Sequence, residues 1–302
     1  MSTNDLLYKK YPWLRIITTI ESYVDPMYYN KILKDYVFSG KTDLTIFSDF
    51  LEKYKKSNNL TILELGCGTG RVTDIFLKKI GEICKTLYLV DLSDQMLKYT
   101  KERFTKYQTI EYIQSDSVMF LKNDALVYDF IFSLWSFSHS VHQILTKDGL
   151  SNGRTYIKNV VQKMVLNNMN KDSYFYLVHF DSMSEEQKIL LQQWKKVFPI
   201  FSDTNQQSPS KLLLDEVFEE LEKERVISLE VKHLTGESIV YKNEDEALEV
   251  FMNFHMESYF NESPLLGEVI EDLTDYFKKY KHKDGSIQIK PGCFVYTVKK
   301  IM

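Results

Sequence analysis

From Leu60 onward, short apolar runs alternate with segments whose apolar residues recur every three or four positions. Residues 61–65 have the length and content of a buried strand. Val72, Ile75, Phe76 and Ile80 follow at helical spacing, with Gly81 set to close the helix. Residues 87–90, 110–114 and 128–133 are further strands. Ser93 or Asp94 is placed to cap the helix after the second of them. A helix over 156–169 leads to a fifth strand at 174–178. Strand and helix alternating in this way predict an α/β fold, with a mostly parallel sheet, right-handed crossovers and helices on both faces.

The flanks have other rhythms. In the first 58 residues Leu44, Ile46, Phe47, Phe50, Leu51 and Tyr54 share one helical face behind a cap at Thr42 or Asp43. Upstream, Pro26 is positioned to open a helix in a ring-rich stretch with Tyr23, Tyr28 and Tyr29. After Asp181, helical patterns cover 185–198 and 209–224. Residues 227–241 read as a long strand with a bend at Gly236. Residues 245–280 are helical and aromatic, and a last strand at 294–298 follows Pro291-Gly292. The chain therefore divides into a helical N-terminal cap (1–58), a core (59–244), a helical lid insertion (245–284) and a final core strand (285–302).

Composition narrows the partners. The net charge is -4, so the chain lacks the basic surplus with which phosphate backbones are gripped, and no nucleic-acid partner is expected. The Lys278 to Lys283 run reads as the solvated end of a helix. Three cysteines, Cys67, Cys84 and Cys293, form no paired spacing for a disulfide framework or a zinc site. No apolar stretch approaches the roughly 18 residues of a membrane span, and the N-terminus has no signal-like core. A cytoplasmic protein without a membrane partner is expected. Nothing in the sequence gives its oligomeric state.

The chemistry centres on Gly66-Cys67-Gly68-Thr69-Gly70, between a strand and a helix. Glycines there allow a tight turn and close approach of a ligand to the backbone. The dinucleotide fingerprint G-x-G-x-x-G would need glycine at position 71, which is Arg71. Asp91 ends the second strand, where a carboxylate can accept from both hydroxyls of a ribose. Asp116 follows the third strand, placed to accept from an adenine amine. Each acid also suits a helix cap, yet all lie where open α/β sheets bind ligands.

The segment 62–71, Ile-Leu-Glu-Leu-Gly-Cys-Gly-Thr-Gly-Arg, resembles the first motif of class I S-adenosylmethionine (SAM) dependent methyltransferases. Asp91 and Asp116 match the family's ribose and adenine acids. Tyr128-Asp129-Phe130-Ile131-Phe132-Ser133 looks like its fourth motif. The resemblance covers 60–178. It implies a Rossmann-like sheet of seven strands with one antiparallel, the strand at 294–298. It also implies SAM as cofactor, held by Glu64, Gly66, Cys67, Gly68, Asp91, Leu92, Met96, Asp116, Ser117, Leu134 and Trp135. Asn170-Lys171-Asp172 departs from the Pro-Gly-Gly turn many members place before strand five. Ser133-Leu134-Trp135-Ser136 stands where DNA and glutamine methylating members carry Asn-Pro-Pro-Tyr. Metal-dependent members group carboxylates near strands four to six, where this chain has only Asp181, so no metal is expected.

A methyl acceptor must be positioned in a dry pocket, and needs a base only if it must lose a proton. His139 is the candidate base, with His142 beside it. His179 and Asp181, after strand five, are second choices. Each histidine also reads as a hydrogen-bonded structural residue. Tyr28, Tyr29, His179 and Phe254 are candidate substrate contacts. The insertion also carries Phe251, His255, Met256, Tyr259 and Phe260, a stripe that serves either a core or a lid. The expected function is methyl transfer to a nucleophilic nitrogen, oxygen or carbon of a small molecule. The alternatives are another SAM reaction (aminocarboxypropyl transfer or cyclisation) and a protein or RNA acceptor.

Overall fold

Alternate residues of the central strands are apolar on both sides, and each side meets its own core. Ile62, Phe130, Phe132, Tyr176 and Val178 face one cluster; Leu63, Leu65, Ile131, Phe175 and Leu177 face the other. A strand buried on both faces belongs in the middle of a helix-covered sheet. The structure, a computed structural model, describes residues 3–15, 19–20, 23–24, 29, 32–34, 36–53 and 59–302. Its central sheet comprises β1 (Leu60–Leu65), β2 (Cys84–Asp91), β3 (Ile110–Gln114), β4 (Tyr128–Leu134), β5 (Met169–Phe180), β6 (Ile227–Thr235) and β7 (Gly292–Lys300). Their order is β6-β7-β5-β4-β1-β2-β3. Only β7 runs antiparallel to its neighbours. Strand order reverses at β1, between β2 and β4, which opens a crevice at the carboxyl ends of these strands.

The helices with both ends among the described residues are α1 (Thr3–Lys10), α2 (Asp43–Lys53), α3 (Arg71–Ile80), α4 (Asp94–Arg103), α5 (Ser117–Asn123), α6 (Phe137–Asn167), α7 (Glu185–Trp194), α8 (Pro209–Lys223), α9 (Glu244–Val250) and α10 (Leu266–Phe277). The first core receives α2 and α3, the second α5, α6 and α8. Helix α2 packs its rings on those of the sheet. Its Phe47 ring lies 5.1 Å from Phe132 and 5.1 Å from Tyr176, and Phe50 lies 4.7 Å from Tyr176. Burying one such ring is worth about 1.5–3 kcal/mol. No described helix is long and apolar enough to cross a membrane.

Several expectations are corrected. The N-terminal cap is less helical than its pattern, since Thr19–Ile20 pairs with Tyr23–Val24 and Val37–Phe38 with Lys41–Thr42. The second hairpin turns on Ser39 (φ 52°) and Gly40 (φ 74°), two successive positive-φ residues of the kind that suit strand twist. Thr42 caps α2 by accepting from the Thr45 amide at 3.2 Å, which releases Asp43 for other work. Residues 227–241 make two strands rather than one. The second, Ile239–Tyr241, leaves the sheet beyond Gly236 to pair with Ile287–Ile289. Asn170-Lys171-Asp172 is no turn but an irregularity within β5, with Asp172 at φ 64°. Helix α6 starts nineteen residues before the expected 156, at Phe137, and kinks at Gly149 (φ 78°). Pro26, Tyr28 and Tyr54 lie outside the described residues.

Candidate active site

The turn after β1 is built on backbone, not side chains. The amides of Gly66 and Cys67 both donate to Val90 O, at 2.7 and 3.1 Å, tying the turn to β2. Gly66 is at φ 75°, and a Cβ there would lie 1.8 Å from Ser136 Oγ, so the position requires glycine. Gly68, at φ 51°, faces empty space instead: an added Cβ would meet nothing within 4 Å. Asp91 supports this arrangement. Its Oδ2 accepts from the Gly68 amide at 2.7 Å and its Oδ1 from the Ser93 amide at 2.9 Å. Burial raises its carboxyl pKa, while the amides of Ser93, Gly68 and Leu92 oppose the shift.

A cavity of about 590 Å³ opens over this turn. Gly66, Gly68, Asp91, Leu92, Met96, Ser117 and Trp135 line its inner part, and His139, His179, Tyr29 and Phe254 line the same space. The remaining expected residues lie behind the wall. Glu64 is buried and accepts from Thr73 Oγ1 at 2.6 Å; burial pushes its carboxyl up to about 8. Cys67 and Leu134 are buried beside it without lining the cavity. Asp116 caps α5 through the Met119 amide (2.9 Å), yet its Oδ2 is buried without a partner next to Ser117. Tyr28 and the side chain of Tyr23 are outside the described residues.

Trp135 is held from three sides. It sits at φ 68°, its ring lies 4.8 Å from Phe180 and 5.8 Å from Tyr36, and its Nε1 donates to Asp43 Oδ2 at 2.7 Å. The same Asp43 takes a bidentate pair from Arg71, at 3.0 and 2.5 Å. Arg71, which breaks the dinucleotide fingerprint, thus fastens α2 to the start of α3.

The three histidines of this region differ in what they leave free. His179 Nδ1 is 2.8 Å from Phe180 O, so it carries the proton, and Nε2 accepts from Ser210 Oγ at 2.8 Å. Burial takes its pKa down to about 4, and both nitrogens are engaged. His142 Nε2 accepts from the Ser210 amide at 3.4 Å, and burial lowers its pKa strongly. His139, on the first turn of α6, exposes its ring to the cavity, and burial of that wall lowers its pKa too. A shift in that direction favours the neutral imidazole, the form able to accept a proton. Asp181 does not line the cavity. It accepts from Gln207 Nε2 and lies 2.7 Å from His233 Nε2, which fixes the β5 exit.

On the opposite wall, sequence reasoning named Phe254, His255 and Tyr259 but missed Tyr36, Glu186 and Glu257. Tyr36 OH donates to Glu186 Oε1 at 2.5 Å, and His255 Nε2 lies 3.6 Å from the same oxygen. Tyr36, His255 and Glu257 all line the cavity. Tyr36 and Glu186 are 150 positions apart in sequence, so no local pattern announces them.

The methyltransferase-domain family matches residues 62–158, from β1 into α6. Two solved structures share the fold. YcgJ from Bacillus subtilis is 11% identical with a TM-score of 0.52, over 85% of this chain and 99% of its own. BH2331 from Bacillus halodurans C-125 is 14% identical with a TM-score of 0.50, over 86% and 99%. No curated protein matches the chain.

Proposed function

We propose that this chain, which carries a methyltransferase domain of the SAM-dependent, Rossmann-like class, methylates a nitrogen, oxygen or carbon of a small molecule in the cytoplasm. The observation that carries the reading is one continuous cavity, running from the glycine turn and Asp91 to an aromatic wall at Trp194, Phe198 and Tyr259. A space of this size is in the range of small-ligand sites, about 300–1,000 Å³. Three buried, unbridged thiols fit a reducing compartment.

The residues fit SAM. The open face over Gly68 leaves room against the backbone, and the orphaned Oδ2 of Asp116 awaits a donor such as an adenine amine. Asp91 keeps lone pairs for ribose hydroxyls beyond its two amide bonds. When bound, SAM supplies an electrophilic methyl on a sulfonium. The protein's part is to hold the acceptor in line and keep water out. Trp135, fixed by Asp43, walls the space beside the turn. His139 takes the proton from an acceptor that must lose one, as a neutral base open to the cavity.

Product analysis tests this. The purified chain is incubated with SAM and either the low-molecular-weight or the macromolecular fraction of a cell extract. S-adenosylhomocysteine (SAH) should form with the first fraction only. Methylthioadenosine as the product would replace methyl transfer by another reaction of SAM, and SAH formed only with macromolecules would overturn the small-molecule acceptor.

A further inference from the structure

The insertion reaches the cavity through an irregular turn. After α9 the chain widens into a π-helical turn at Phe251–His255, then passes through two left-handed residues, Glu257 (φ 50°) and Ser258 (φ 56°). Such turns cluster at functional sites, where they re-aim side chains. Left-handed backbone at two successive non-glycine residues is costly, and persists only when the surroundings hold it. Buried Met252 and Met256, with a Ser258 amide bond to Met252 O at 2.9 Å, hold it here. The outcome is that Phe254, His255, Glu257 and Tyr259 all meet the cavity.

The charges on the wall are unbalanced. Asp91 has both oxygens engaged by backbone amides. Glu257 has neither a hydrogen-bond nor an ion-pair partner among the described residues, and burial alone pushes its carboxyl up to about 7. The lining imidazoles His139, His142, His179 and His255 are all shifted towards the neutral form by burial. Lys147, the lining ammonium, is exposed. A half-buried carboxylate facing the cavity without a counter-ion is costly, and a cationic ligand offsets that cost. Around it the surfaces are apolar and ringed, with Tyr29 and Phe254 at 5.5 Å and Trp194 and Tyr259 at 5.3 Å. Such faces favour a cation as well.

We propose that Glu257 is the counter-ion of the methyl acceptor, and that the acceptor is a basic amine carried on an apolar, ring-sized body. This rests on the reading of the chain as a SAM-dependent methyltransferase. The test uses the full chain saturated with SAH and three matched probes: phenethylamine, 2-phenylethanol and 3-phenylpropionate. Calorimetry should show the amine binding and the other two not. In Glu257→Gln the amine should bind at least tenfold more weakly, with SAH affinity unchanged and the melting temperature no lower. Equal binding of the alcohol or the carboxylate overturns the proposal, as does an unchanged amine affinity in the variant. A variant that loses affinity for SAM but not SAH also overturns it, by making Glu257 the partner of the sulfonium. Failure of the wild-type chain to bind SAH brings down the cofactor reading instead.

Discussion

One added carbon separates two glycines of the same turn. At Gly66 it collides with Ser136, whereas at Gly68 it enters the cavity. Both positions lie in the left-handed region, where a non-glycine residue costs about 1–2 kcal/mol. Gly66→Ala adds a backbone shift to that strain and should depress the melting temperature markedly. Gly68→Ala should cost only the strain, yet weaken SAH by tenfold or more, because its methyl occupies the face proposed for the ligand. Melting and calorimetric titration on the same samples decide. Normal SAH affinity in folded Gly68→Ala would move the cofactor elsewhere. That these glycines matter was legible in sequence; that an added carbon has room at only one of them was not, because Ser136 reaches Gly66 from far along the chain.

Among the elements, α2 shows how local and distant information divide. Its apolar stripe was readable, and Phe47 and Phe50 pack on the sheet as the spacing requires. Its polar anchor was not, since Asp43 reads as a cap while Thr42 does the capping. Asp43 instead joins Arg71 and Trp135 in one buried junction, with its side chain only 2% exposed and that of Arg71 15%. Asp43→Ala leaves a guanidinium and an indole N–H without their acceptor. Breaking a buried pair from one side costs about 3–5 kcal/mol, so urea unfolding should show a loss of that order. A loss below about 1 kcal/mol, typical of a surface pair, would mean the junction is not a tether. The central strands β1 and β4 were legible because each is a short apolar run. The first half of α6 was missed although Phe137, Val141, Ile144 and Leu145 recur at helical spacing, because polar residues fill the positions between them and Gly149 interrupts the helix.

At the level of the whole molecule, the N-terminal segment and the insertion are stitched together. Tyr8 OH donates to Asn261 O at 2.9 Å, Trp13 Nε1 to Asp245 Oδ1 at 3.2 Å, and the side-chain amides of Asn253 and Asn261 donate to Trp13 O and Leu14 O. The N-terminal segment and the insertion should therefore move together if the cap opens. Hydrogen exchange with and without SAH checks this: protection should rise in residues 8–14 and 251–261 to a similar degree. A change confined to one segment would show two independent pieces. The same stitching has a consequence during synthesis. Ribosomes add about 5–20 residues per second, and Tyr8 and its partner at Asn261 are 253 positions apart. Helix α1 therefore waits roughly ten to fifty seconds for its partner, while strands β1 to β4, beneath the proposed cofactor site, emerge within the first half of the chain. The proposed ligand-binding half of the protein is thus made long before the segment that faces it across the cavity.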